Sequence, residues 1–294
     1  MQRHSREKAV AWFFTLNGAV VILILLGIFY LLFSSSFLAW REVGVMPFLT
    51  GIVWNPTGYH GSFYGTLPLI AGTFLVTLGA IAIALPFGVA CAIYLAEVAS
   101  PWERELFKPV VELLAGVPSV VIGFFGLVVL NRLIANVFNL SNGLNALNGA
   151  ILLALMSLPT IISIAEDALT AVPDEYREAS LALGATKWQT IRRVTFPAAI
   201  SGVTAAVMLG VGRAIGETMT VIMATGNAIA FPKGMFSSVR TMTATIAIEL
   251  GEVAFNTTHY YALFAVGFIL FLITFVVSLI ADVFLHRAQE VGKR

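Results

Sequence analysis

The chain has 294 residues, 59% hydrophobic and 11% charged, with a net charge of +1 and a mean hydropathy of +0.91. A water-soluble domain carries about 25% charged residues, so the polar side chains needed to cover a globule of this size are missing. An ordinary soluble enzyme, a disordered chain and a nucleic-acid binder are excluded, the last because a near-neutral chain offers no field to a polyanion. What remains is a protein whose main solvent is lipid.

A helix needs about 20 mostly apolar residues to cross the hydrocarbon core. Runs of that kind predict six spans, at about residues 10–33, 67–96, 111–130, 146–168, 198–225 and 261–285, with residues 1–9 and 286–294 as flanks. The first run follows Arg3, Arg6 and Lys8, as a signal peptide would. Its charge-free stretch is far longer than the roughly 7–15 residues of a signal-peptide core, so it reads as a retained helix. Cys91, the single cysteine, excludes an intrachain disulfide and reads as a small buried residue of the second span. Placing the N-terminus in the cytoplasm leaves only Arg41, Arg132, Lys233 and Arg240 in outer segments, and puts most of the 17 cations in cytoplasmic ones. That bias orients the chain with both termini inside. The outer segment 34–66 holds Trp40, Trp54, Tyr59 and Tyr64, residues suited to a membrane interface.

The interval from Glu166 to Pro197 is polar in a chain that otherwise avoids polarity. Pro173, Asp174 and Glu175 predict a helix start, since the acids sit at the positive end of the dipole. Gly184 predicts its end. Thr186 and Gln189 have capping-box spacing for a second helix, expected to run to Pro197. By chemistry alone this is a bent pair of short helices at the membrane surface. Its pattern resembles the EAA loop of ABC-importer permeases: Glu178, Ala179 and Ser180, then Gly184, Val194, Phe196 and Pro197 at the family's spacing. Ser180, Val194 and Phe196 depart from the usual Ala, Ile and Leu and keep size or apolarity. The resemblance implies a coupling loop over 170–197 that docks on a separate ATPase subunit, with Glu178, Ala179, Ser180, Gly184, Ala185, Thr186 and Trp188 in the contact. The chain has no G-x-x-x-x-G-K-[ST] phosphate loop, H-E-x-x-H metal motif or G-x-S-x-G elbow. No metal or cofactor of its own is expected; ATP and Mg would sit on partner ATPase subunits.

The fifth span carries Arg213 and Glu217, and a charge at the bilayer centre costs about 2.5–3.5 kcal/mol on insertion scales. A spacing of four puts both on one helix face, either as a static ion pair or as a charged waypoint for an anion. Gly202, Ala206 and Gly210 share roughly that stripe and, with Gly216, predict close helix packing. The string Gly212-Arg213-Ala214-Ile215-Gly216-Glu217-Thr218-Met219 resembles the Gly-Arg-Ala-x-Gly-Glu-Thr-Met string of phosphate-specific transport permeases of the PstC type. So do Trp54-Asn55-Pro56, Gly65-Thr66-Leu67-Pro68 and Gly116-Val117-Pro118-Ser119.

The resemblance implies an all-α membrane protein of six transmembrane helices with the type I ABC importer (MetI-like) permease fold, in a prokaryotic plasma membrane. It implies a phosphate pathway through Arg213, Glu217 and Thr218. The implied partners are a PstA-like permease, two PstB-like ATPase subunits and a PstS-like phosphate-binding protein. Two other readings are a permease for sulfate or molybdate and a secondary transporter coupled to ions through Glu217. Residues 225–260 predict outer turns and a short helix over 241–253 bearing Glu249 and Glu252. This is either a surface for the loaded binding protein or a solvated helix packed on the bundle, and His259 reads as an interface residue.

Overall fold

The computed structural model describes the backbone of residues 2–59 and 61–291, and the side chains of residues 10–59, 61–280 and 283. The side chains of Arg3, Arg6, Lys8, Arg287, Lys293 and Arg294, which weigh in the charge count, lie outside these. Among the described residues six helices are long and apolar enough to cross a membrane: Val10–Val43, Leu67–Val98, Ser119–Val137, Ala146–Thr170, Lys187–Gly216 and Thr258–Ile280.

Helix α1 (Gln2–Val43) continues past the expected end at Phe33. The hydroxyls of Ser34 and Ser36 fold back onto the carbonyls of Leu31 and Leu32, so the serines cost the helix little. Trp40 then packs on Phe33 and on Phe268 of α13 (Thr258–Val291). A left-handed Gly44 (φ 84°) ends the helix. The short α2 (Val45–Thr50) leads to a hairpin, β1 (Trp54–Asn55) against β2 (Phe63–Tyr64), with Trp54 opposite Tyr64. Trp54 is buried and forms a core with Phe48, Leu69 and Leu263.

Helix α3 (Leu67–Ile93) passes through a π-helical turn at Tyr94–Val98. Its buried stripe is Ala80, Ala84, Gly88 and Ala92, which leaves Cys91 on the exposed side rather than buried. The third span is also displaced from the expected 111–130. Residues Pro101–Ala115 form a separate amphipathic helix, α4, closed at its start by a Ser100–Glu103 capping box. Pro118 disfavours helical backbone at Val117, so the chain breaks after Gly116 and the span begins at Ser119. The charge-free run had joined the apolar end of α4 to the start of that span. The span itself is α5 (Ser119–Phe125), a π-helical turn at Gly126–Leu130 and α6 (Asn131–Val137).

Helix α7 (Ala146–Thr170) is the most deeply buried span. Glu166, expected in a polar loop, belongs to this helix and is 1% exposed. Next come α8 (Asp174–Ala182), α9 (Lys187–Thr190), a π-helical turn at Ile191–Thr195, and α10 (Phe196–Gly216). The second loop helix therefore does not stop at Pro197: α9 and α10 form one continuous helix into the span. Pro197 lies within that continuous helix and is accommodated by the wider π-helical turn just before it. Helices α11 (Met219–Ala224) and α12 (Met242–Glu249) precede α13. We call the end of the bundle carrying α8 the loop face and the end carrying the hairpin the hairpin face.

Candidate functional site

Helices α7 and α10 run antiparallel, and their contacts give a depth scale. A Cβ added to Gly202 would lie 2.4 Å from that of Ala168, and one on Gly210 would lie 2.6 Å from Ile161. Ala206 between them is fully buried. Ser157 donates to the carbonyl of Gly210 at 3.3 Å. These three positions of the small-residue stripe thus pack on α7. Gly216 does not: a Cβ there would meet nothing within 4 Å. The same holds at Gly212, so neither glycine flanking Arg213 serves close packing within this chain.

Gly216 instead marks a break. Glu217 has extended backbone (φ −70°, ψ 133°), and a new short helix starts at Met219. Beyond the break the Thr220 hydroxyl lies 3.2 Å from Met156 Sδ and 3.0 Å from the Ser119 carbonyl. Farther on, Thr225 faces Gly149. The break is therefore level with residues 156–160, halfway along α7. Irregular backbone at that depth is tolerated only inside protein or beside a water-filled path, and broken spans mark binding sites in other transporters.

The break undoes the expected geometry of the charged pair. Arg213 and Glu217 are not on one helical face, and no ion pair joins them. Arg213 Nη1 reaches Thr160 Oγ1 at 3.5 Å, a weak contact that leaves most of the guanidinium donors unspent. Glu217 Oε1 accepts the Thr220 N–H at 3.3 Å, so the carboxylate satisfies an orphan donor at the start of α11. Thr243 donates to the Glu217 carbonyl at 2.9 Å. Thr218 and Thr243 line a cavity of about 600 Å³ that extends along α12 to Phe255 and Tyr260. A planar fork of donors beside a helix break suits an oxyanion. Thr243 was invisible as a site residue in the sequence, since only the fold brings it to the break.

On the loop face the short-helix pair has the expected caps. Gly184 is left-handed (φ 83°), and Thr186 and Gln189 make both bonds of a capping box. Ser180 and Thr190 hydroxyls, 2.9 Å apart, join the two helices. Leu183 and Trp188 are strongly exposed, so the turn presents apolar surface. Glu178 and Ala179 are exposed on α8, and Ala185 in the turn after it is half-buried.

Two ionic clamps hold this face, and neither was read from the sequence. Glu166 receives Arg104 and Lys108 from α4, and Lys108 also bonds Asp167 at 2.9 Å. The carboxylates of Glu166 and Asp167 hold the Lys108 ammonium pKa above its usual range. Arg177 donates to Glu97 and to two backbone carbonyls near the end of α7. The i, i+4 pair Arg104 and Lys108, opposite Trp102, Leu106 and Val110, was the available signal for α4. On the hairpin face Glu249 is a hub: Trp54 Nε1, Arg240 Nη1 and His259 Nε2 reach it at 3.1, 2.9 and 2.8 Å.

Residues 84–290 match the family model for the binding-protein-dependent transport system inner membrane component. The chain belongs to this permease family. It is 42% identical to the probable ABC transporter permease YqgH of Bacillus subtilis, over 90% of this chain and 84% of that one. It is 37% identical to the phosphate transport system permease PstC of Mesorhizobium japonicum, over 98% and 92%. Its fold is that of the MetNI methionine ABC transporter, solved in inward-facing conformations: TM-score 0.56 at 20% identity, over 76% of this permease and 94% of that chain. The permease is thus a multi-pass inner-membrane subunit of an ABC importer with the MetI-type fold and PstC-type sequence relatives.

Proposed function

We propose that the permease forms part of the path for inorganic phosphate in an ATP-driven importer. The observation that carries this reading is Arg213: a guanidinium with unspent donors, halfway through the bundle and beside a helix break, in a chain whose relatives include phosphate permeases. Arginine suits phosphate oxygens because its donors are planar, permanently charged and forked. Thr160 supplies a neutral hydroxyl beside it, and Thr218 and Thr243 line a cavity at the break. Glu217 either holds the anion-free geometry through α11 or accepts a proton from the monoanion.

In this reading the loop face is cytoplasmic, in keeping with the charge bias of the sequence, and both termini are inside. The turn at 178–188 docks on a separate PstB-like ATPase subunit that binds ATP and Mg. A PstA-like permease completes the span set, and a PstS-like protein delivers phosphate at the hairpin face. ATP-driven closure of the ATPase pair pushes α8, and hydrolysis resets it. Because α9 and α10 are continuous, a push at Thr186 travels along one helix to the break beside Arg213.

The test is ATP hydrolysis by the purified complex, stimulated by loaded binding protein. Stimulation is expected with phosphate and not with sulfate or molybdate. Equal stimulation by either of the other oxyanions would overturn the substrate assignment.

A further inference from the structure

Helix α8 is tied to the second and fourth spans by one hydrogen-bonding side chain. Among the described residues, Arg177 is the only α8 residue whose side chain hydrogen-bonds to the second or fourth span or to the end of the latter. Its Nε and Nη2 both donate to Glu97 Oε1, at 3.0 and 2.8 Å. Nη2 also reaches the Leu169 carbonyl at 2.8 Å, and Nη1 reaches the Val172 carbonyl at 2.6 Å and Asp174 Oδ1 at 2.9 Å. Glu97, in the π-helical turn that ends the second span, is 6% exposed, and Arg177 is 17% exposed. The other polar side-chain link of α8, Ser180 to Thr190, leads only to the start of the fifth span's own helix. The fifth span is thus joined to the turn through its backbone and the Ser180–Thr190 bond. The second and fourth receive the turn through this one guanidinium.

Charge-assisted bonds in a desolvated setting are the strong ones, and a buried carboxylate stripped of its partner is costly. Removing the guanidinium would leave Glu97 uncompensated and the carbonyls at the end of α7 without this donor. The clamp is therefore stiff compared with the exposed turn beyond it.

We infer that Arg177 is a positioning residue that makes α8 move as one body with the ends of the second and fourth spans, so that displacement of α8 reaches both. The inference rests on the reading of α8 as the coupling element and deepens it.

The experiment places spin labels at Val98 and Leu181, both about half exposed, in the full reconstituted complex. With Arg177 present the distance between them is expected to stay unchanged when ATP is added. In Arg177→Gln and in Glu97→Gln it is expected to broaden and to shift with ATP. Inorganic phosphate imported per ATP hydrolysed is expected to fall by roughly tenfold or more in both, the factor that losing one charged hydrogen bond carries. Arg177→Lys, which keeps a charged donor toward Glu97, is expected to fall between.

A label distance that changes with ATP in the unmodified complex overturns the inference, as does one unaffected in both glutamine variants. Loss of the ATPase subunits in both variants also overturns it, because the pair would then build the dock rather than pass on its movement. The docking reading is scored separately: Leu183→Asp with Trp188→Asp should release the ATPase subunits, and unchanged co-purification would count against docking while leaving the clamp result intact.

Discussion

Replacing Arg104 and Lys108 together by alanine strands the carboxylate of Glu166. That carboxylate is 1% exposed and would keep the Thr170 hydroxyl as its side-chain partner. Breaking a buried pair by removing the neutralising side costs about 3–5 kcal/mol, because an uncompensated buried charge is left behind. The opposite change, Glu166→Leu, strands only groups that already meet water. Arg104 and Lys108 are 37% and 32% exposed, and Asp167 still holds Lys108. Its cost should stay within about 1 kcal/mol, the scale of exposed ion pairs. The two variants therefore separate by at least about 2 kcal/mol, more than tenfold in the unfolding equilibrium. Reversible unfolding in mixed micelles, followed by tryptophan fluorescence, measures both. If Glu166→Leu destabilises as much as the double alanine, burial of the carboxylate is not the controlling feature and the argument fails.

Gly202→Val pushes a side chain into Ala168, so α7 and α10 must part at a cost of about 1–3 kcal/mol, seen as a lower melting temperature of the detergent-solubilised protein. Arg213→Gln should abolish phosphate uptake into vesicles while the complex still assembles; normal uptake would remove Arg213 from the pathway. In Gly184→Ala the added Cβ meets no neighbour, so its effect is backbone strain of about 1–3 kcal/mol at a left-handed position; weaker co-purification of the ATPase subunits is the readout. The Ser100 backbone N–H holds the Glu103 carboxyl below its usual range, so its contribution to the start of α4 is present at neutral pH and lost as pH falls through that lowered pKa. The hydrogen-exchange protection factor of the Ser100 amide and of residues 102–104, taken against the intrinsic rate at each pH, should fall with acid, and a pH-independent protection factor there would refute the capping role.

Local signals were legible where the chemistry is local. The caps at Thr186 and Gln189 and the left-handed Gly184 depend on residues within a few positions of one another, and spacing alone declared them. The stripe of Gly202, Ala206 and Gly210 was also readable, since it follows helical periodicity. The pairing of Arg213 with Glu217 failed for the converse reason. It assumed an unbroken helix, whereas Gly216 and the capping demand of α11 turn the backbone extended, and no periodicity reports that. Apolar runs likewise could not separate the exposed end of α4 from the span that follows it. Lipid-facing and interface-facing residues have the same hydropathy.

The sequence by itself determined that this is a six-span membrane protein, that its charges gather in a few segments, and that one cation stands deep in a span. Hydropathy and charge are properties of residues, so no fold is needed to read them. Only the tertiary structure decided what those charges do. It put Glu166 and Glu97 out of water under cations from α4 and α8, and set Arg213 beside a break at half depth. Those roles depend on partners distant in sequence, and burial between packed helices fixes the partners.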